Sequence, residues 1–171
     1  GAFCMFKQAI GRLEKELRQL EREYRHDLPK EIKRALAMGD LRENAEYHAA
    51  LERQSYVKAK IGHIKKRLQE ISMIKIEALP KDKVGLGSTV VLYDLKEEKE
   101  IRYELVFSED ADVPRGYISI TSPIGKGLAG RSEGEEVTIQ VPSGVKRFEI
   151  VSLQTVHQKK ITEPQPSEGE E

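Results

Sequence analysis

Asp40, Glu43 and Glu46 place three carboxylates at intervals of three within Gly39-Asp40-Leu41-Arg42-Glu43-Asn44-Ala45-Glu46. Acids at that spacing can hold a divalent cation such as magnesium. Without other protein ligands they make a poor site, because magnesium wants octahedral oxygen coordination and usually completes it with water and substrate phosphates. The positive end of a helix dipole weakens cation binding further. Asp40 and Glu43 would therefore hold metal usefully only where another protein and a phosphodiester supply the remaining ligands. The same residues also have a plain local use. Gly39 suits the left-handed position that ends a helix, Asp40 is a good N-cap, and Glu43 three residues on can reach back as in a capping box. Both uses stay open at this point. His26, His48, His63 and His157 form no metal-ligand cluster in sequence, and no nucleotide-binding glycine loop is visible.

Two long helices must position these acids. Apolar residues fall at Phe3, Phe6, Ile10, Leu13, Leu17, Leu20 and Tyr24, alternating spacings of three and four, the seam of a coiled-coil helix. Tyr47, Ala50, Gln54, Val57, Ile61, Ile64, Leu68 and Ile71 repeat the pattern with one polar interruption. If the helices fold back antiparallel, core partners have position numbers with a constant total. Ile10 with Ile71, Leu13 with Leu68, Leu17 with Ile64, Leu20 with Ile61 and Tyr24 with Val57 all total 81, which puts the turn between Asp40 and Leu41. Asp27 then faces Gln54, a polar layer that would fix the register. An arm of about 30 residues at ~1.5 Å per residue carries the acids roughly 45 Å from its base.

Pro29 lies inside the first pattern, where it cannot donate to the Arg25 carbonyl. Beyond it the apolar spacing reads Leu28, Ile32, Leu36, all fours. A kink near Leu28 and a looser seam toward the tip are expected, with two separate helices joined at Pro29 as the alternative.

After Ile76 the period changes. Leu79-Pro80-Lys81-Asp82-Lys83 reads as a linker, and five period-two runs follow, around Val90–Asp94, Ile101–Phe107, Tyr117–Thr121, Val137–Val141 and Phe148–Leu153. Between the third and fourth runs, Ser122 as N-cap and Pro123 at the first helical position open a short helix. The fold class is α+β: an antiparallel helical hairpin over 5–78 with its acidic tip near 39–43, a linker at 79–85, and a small antiparallel-sheet domain with one short helix over 86–158. Residues 159–171 are expected to be a disordered acidic tail, since Pro and Glu dominate without an apolar anchor.

Composition narrows the function classes. The chain has 171 residues, 34% charged, with 29 Lys+Arg against 29 Asp+Glu. A net charge of zero removes any global case for a polyelectrolyte binder. Residues 1–78 carry 17 basic and 12 acidic side chains, and 79–171 carry 12 and 17, so the hairpin is mildly basic. Helix two concentrates Lys58, Lys60, Lys65, Lys66 and Arg67, which reads either as a polyelectrolyte contact or as a solvated face. One cysteine, Cys4, permits no internal disulfide or thiolate zinc cluster. With neither a membrane span nor a secretory leader in the sequence, a cytoplasmic protein is expected.

Gly39-Asp40-Leu41-Arg42-Glu43-Asn44-Ala45-Glu46-Tyr47-His48-Ala49-Ala50 resembles the signature of the bacterial Gre transcript-cleavage factors, nearest their GreA type. The segments Ile118–Gly130 and Val141–Val151 resemble two further stretches of that family, and the similarity runs from about Phe6 to Val156. The resemblance implies a coiled-coil hairpin followed by an FKBP-like domain. It implies a partner, bacterial RNA polymerase, which such factors bind at the rim of the secondary channel while the hairpin is threaded toward the active centre. There the tip acids help the polymerase hydrolyse the extruded 3′ RNA of a backtracked complex. By position, Asp40 and Glu43 would share a magnesium ion with the polymerase and position the attacking water, with no tightly bound cofactor. Ser122 and Pro123 match the loop that docks on the polymerase rim. The factor is expected to act as a monomer, and the polymerase remains the enzyme.

One departure concerns the nascent RNA. Many family members carry Arg at the positions of Leu36 and Leu51, in a basic patch near the tip. Arg34, Arg42, Arg53 and Lys58 are the substitutes this chain offers for contacts to RNA or polymerase. Competing functions are an inhibitory relative that occupies the channel without cleavage, a structural coiled-coil adaptor, and a prolyl isomerase. The last is disfavoured, because fold does not carry function and Tyr93, Tyr103, Phe107, Tyr117 and Phe148 can all serve a core.

Overall fold

The computed structural model describes residues 2–39 and 43–162, with side chains over 6–39 and 43–159. Contacts divide the chain into two units: Ile10–Ile74, and Lys75 onward together with the first residues up to Ala9.

The helical unit holds most of α1 (Ala2–Arg22), a π-helical turn (Glu23–Asp27), α2 (Leu28–Leu36) and α3 (Ala45–Ser72). Burial follows the seam. Leu13, Leu20, Ala50, Val57, Ile64 and Ile71 are buried, and the alternate seam positions Ile10, Leu17, Tyr24, Ile61 and Leu68 are half-buried. Ion pairs flank that seam across the two arms: Arg53 to Glu23 at 2.7 Å, Lys65 to Glu21 at 3.4 Å and Lys60 to Glu16 at 4.0 Å. Their position numbers total 76, 86 and 76, symmetric about 81, as side chains beside an antiparallel core must be. Exposed pairs of this kind add little stability, so the apolar seam carries the unit.

Pro29 acts one turn earlier than expected and in a different way. The chain does not break into two helices. It widens into the π turn, where the Leu28 N–H donates to the Glu23 carbonyl, five residues back. That turn takes up one extra residue. The buried sequence runs Leu20, Leu28, Ala35, a step of eight and then seven, with Ile32 half-buried between. Two expectations fail for this reason. Asp27 is exposed and forms no polar layer with Gln54, because Leu28, 1% exposed, occupies the inward position. The seam does not continue in fours to Leu36, which is 45% exposed; Ala35 is buried instead.

The second unit is built on one five-stranded sheet in the order β3-β2-β1-β5-β4: β1 Thr89–Asp94, β2 Lys99–Val106, β3 Tyr117–Ser119, β4 Glu136–Val141 and β5 Gly144–Gln154. All five period-two runs become strands. Alternation sends one set inward, so that Leu92 lies opposite Ile150 and Val137 opposite Phe148 in the core. The sheet is mixed, not wholly antiparallel, because β3 pairs parallel to β2. A parallel return needs a connection longer than a hairpin turn, and residues 107–116 supply it with two short 3-10 turns at Ser108–Asp110 and Val113–Arg115. Phe6 joins this unit, meeting Phe107 edge to face at 5.0 Å.

Helix α4 (Pro123–Leu128) covers the core through Leu128. A second helix, α5 (Val156–Thr162), takes in residues 159–162, which the composition assigns to the tail; Lys159 on it pairs with Glu104 at 3.1 Å. Residues 79–85 are likewise tied in. His157 Nε2 lies 2.9 Å from the Leu79 carbonyl, the Thr155 hydroxyl donates to the Lys81 carbonyl, and the Val84 N–H donates to the Arg131 carbonyl. Asp94 closes the β1–β2 turn from a buried position, its Oδ1 accepting from the N–H groups of Lys96 and Glu97 at 2.9 and 3.0 Å. Those bonds, that of Glu97 foremost, hold its carboxyl below the ordinary value of 3.8 against the opposing effect of burial, with help from Lys146 and Lys99.

Candidate functional site

The acidic tip is framed by the end of α2 and the start of α3. Gly39 has φ of 143°, a conformation that L side chains rarely adopt. Asp40 and Arg42 lie outside the described residues, as does the expected turn point between Asp40 and Leu41. Glu43 sits in a turn before α3, exposed and without an ion pair or hydrogen-bond partner among the described residues. Glu46 follows in the first turn of α3, also exposed.

Local capping does not use the acids in the expected way. The N-cap of α3 is Asn44, whose Oδ1 accepts from the Tyr47 N–H at 3.0 Å, and whose carbonyl accepts from the His48 N–H at 3.2 Å. Asp40 is therefore not the N-cap of the second helix, and Glu43 is not at the third helical position where a capping box would place it. The sequence carries a signal for this outcome. Asn is among the best N-cap residues, and Asn44 stands immediately before the helical run that opens with Ala45 and Tyr47. Asp40 draws attention first because an acid three residues later completes a familiar pattern.

The other side of Asn44 reaches across the hairpin. Its Nδ2 donates to the Ala35 carbonyl near the end of α2. That carbonyl also accepts from the Met38 N–H at 3.1 Å.

The expected basic contacts separate in the structure. Arg34 and Lys58 are exposed. Arg53 is already engaged: Nε and Nη2 donate to the two carboxylate oxygens of Glu23 at 2.7 and 3.0 Å, and its guanidinium lies 5.2 Å from the Tyr56 ring centroid. The Arg53 bonds hold the Glu23 carboxyl below its ordinary 4.5. Arg53 thus braces the π turn, where Glu23 begins, and would have to leave it to contact RNA.

The Ser122–Pro123 loop is built as expected. Ser122 caps α4, its Oγ accepting from the Gly125 N–H at 3.1 Å and donating to the Ser119 carbonyl at 2.6 Å, and Pro123 is exposed at the first helical position. Gly125 is required here, since a Cβ at that position would stand 2.2 Å from the Ser119 carbonyl oxygen.

The metal question rests on Glu43. Among the described residues no three His, Cys, Asp or Glu side chains gather where they could hold an ion. A carboxylate that is exposed and uncommitted fits a ligand to magnesium contributed to a shared site, and does not fit a self-sufficient one.

A helical hairpin with an exposed acid beside its tip, together with a mixed-sheet domain carrying a capped Ser-Pro loop, makes a two-module protein. Residues 3–72 match the family model described as transcription elongation factor, N-terminal, and residues 79–155 match that of transcription elongation factor, GreA/GreB, C-term. The chain belongs to the GreA/GreB family of transcription elongation factors. It is 40% identical over 147 residues to the transcription elongation factor GreA of Trichlorobacter lovleyi, covering 86% of this chain and 93% of that one. To the GreA of Nitratiruptor sp. it is 42% identical over 149 residues, covering 87% and 91%. Among solved structures, the GreA factor homolog 1 (Gfh1) protein of Thermus thermophilus matches with 22% identity and a TM-score of 0.39 over 87% of this chain and 94% of that one.

Proposed function

We propose that this transcription elongation factor works on RNA polymerase as a monomer in the cytoplasm, stimulating the polymerase's own hydrolysis of the 3′ RNA in backtracked complexes. The exposed carboxylate of Glu43 beside the hairpin tip, without a partner among the described residues, carries this reading. Relatives of about 40% identity over most of the chain, named as elongation factors, support it.

In this mechanism the loop at Ser122 and Pro123 docks on the polymerase, and the hairpin brings the tip to the polymerase's active centre. Glu43, with Asp40, would hold a magnesium ion shared with the polymerase and the RNA. Bound there, the ion would supply Lewis-acid chemistry toward the RNA phosphate and the attacking water. Glu43 orients that water by accepting one of its protons in a hydrogen bond. Because Asn44 performs the capping of α3, Glu43 is not held back by that task. Arg34 and Lys58 on the exposed face are the side chains that contact the RNA or the channel wall.

The test is RNA cleavage in a halted, backtracked elongation complex with magnesium, comparing no factor, the wild type and the Asp40→Asn/Glu43→Gln variant. Rapid shortening of the RNA with the wild type alone is expected. Binding to polymerase without shortening would identify an inhibitor of the channel instead, and equal shortening by the variant would remove the acids from the mechanism.

A further inference from the structure

We propose that Asn44 is a positioning residue for the cleavage activity, holding Glu43 in place by clamping the two arms of the hairpin to each other with one side chain. This rests on the function proposed above and names a residue that acts through Glu43 without touching substrate.

The observation is that Asn44 is fixed from three directions. Oδ1 takes the Tyr47 N–H, the backbone carbonyl takes the His48 N–H, and Nδ2 gives a hydrogen bond to the Ala35 carbonyl on the opposite arm, nine positions away in the chain. The first two bonds belong to any good N-cap. The third does not. The orientation of the amide is unambiguous, because one end faces an N–H, which only donates, and the other a carbonyl, which only accepts. Ala35 lies in the last turn of α2, where carbonyls lack a helical partner. Its oxygen takes the Met38 N–H on one lone pair and Asn44 on the other. A single amide thus ends one helix, starts the next and ties them together.

Glu43 is the residue before this clamp, and it has no tie of its own among the described residues. The placement of its backbone on the α3 side is therefore set by Asn44. The side chain that suits this task must accept and donate at once, over a reach of two carbon atoms. Asp accepts but cannot donate, and Ser caps but is too short to span to the other arm. Both are good N-caps, so each preserves the helix start and removes only the bridge. Asp would also set a carboxylate oxygen against the Ala35 carbonyl, whereas Ser adds no charge. Agreement between the two variants then isolates the bridge from any effect of charge at the tip.

The experiment compares wild type, Asn44→Ser and Asn44→Asp in the backtracked-complex cleavage assay over a range of factor concentrations. Far-ultraviolet circular dichroism and thermal melting are recorded on the same proteins. The expected result is a fall of roughly 10- to 100-fold in the cleavage rate at saturating factor for both variants, the scale that an ångström of misplacement costs. The concentration giving half-maximal cleavage and the helix content stay unchanged, and raised magnesium partly restores the rate. A saturating rate equal to wild type in Asn44→Ser overturns the proposal. So does a loss of rate that follows loss of helix content or of polymerase affinity, since that would make Asn44 a stability residue only. If the wild type itself does not shorten the RNA, the proposed function falls and this inference falls with it, an outcome visible before either variant is examined.

Discussion

Replacing Leu28 and Asp27 one at a time by Ala tests the π turn directly. A continuous heptad points Asp27 into the seam, whereas the observed one-residue insertion points Leu28 there, 1% exposed, and leaves Asp27 in solvent. Truncating a buried Leu removes its transfer free energy and leaves a cavity, together about 2–5 kcal/mol; a surface change of the Asp27→Ala kind lies within about 0.5 kcal/mol. For a unit of this size each kcal/mol moves the midpoint by roughly 4–8 °C. Leu28→Ala should therefore lower the Tm of the helical unit by roughly 12–24 °C at a loss of about 3 kcal/mol, and Asp27→Ala by less than about 4 °C. Thermal melts followed by far-ultraviolet circular dichroism, which weights the hairpin, read both. Comparable losses for the two variants, or a loss under about 1 kcal/mol for Leu28→Ala, would refute the insertion and restore the uninterrupted seam.

Two further outcomes follow from the sheet unit. Gly125→Ala should destabilise it by about 1–3 kcal/mol through overpacking against the Ser119 carbonyl. By disturbing the Ser122 cap it should also weaken polymerase binding, measured by co-sedimentation, while Lys126→Ala in the same helix leaves stability unchanged. Asp94 titrates lower in the folded state than its ordinary 3.8, so its stabilisation is complete above that value and drains away as the pH falls through the depressed one. Urea midpoints taken between about pH 5 and about pH 2 should decline for the wild type, and Asp94→Asn should flatten part of that decline.

The parts of the fold that were legible depend on repetition. A seam of alternating threes and fours is a periodic signal summed over seven positions, and antiparallel pairing follows from it by position number alone; the flanking pairs Glu16–Lys60 and Glu21–Lys65 agree with that register. Period-two runs likewise marked five strands. What escaped was set by single events or distant partners. Pro29 announces a disturbance but not how the backbone absorbs it, and the choice of a wider turn over a break depends on which residue next finds the seam. Asn44 and Asp40 are both good caps by type; the Ala35 carbonyl, on another helix, helps decide between them. The parallel seating of β3 on β2 and the bonds from Thr155 and His157 to residues 79–81 join segments far apart in sequence, where local pattern carries no information. At the tip, residue type pointed to the acids and to metal chemistry, and geometry added that Glu43 has no capping duty.

The π turn separates two quantities that a plain coiled coil keeps linked. Adding a whole heptad to both arms would lengthen the probe by about 10 Å, whereas a single residue added to one arm would turn every later side chain of that arm by about 100° away from the seam unless the backbone absorbs it. In this chain the π turn absorbs that residue, so one arm has changed its length by a residue while Leu28 and Ala35 still face the seam.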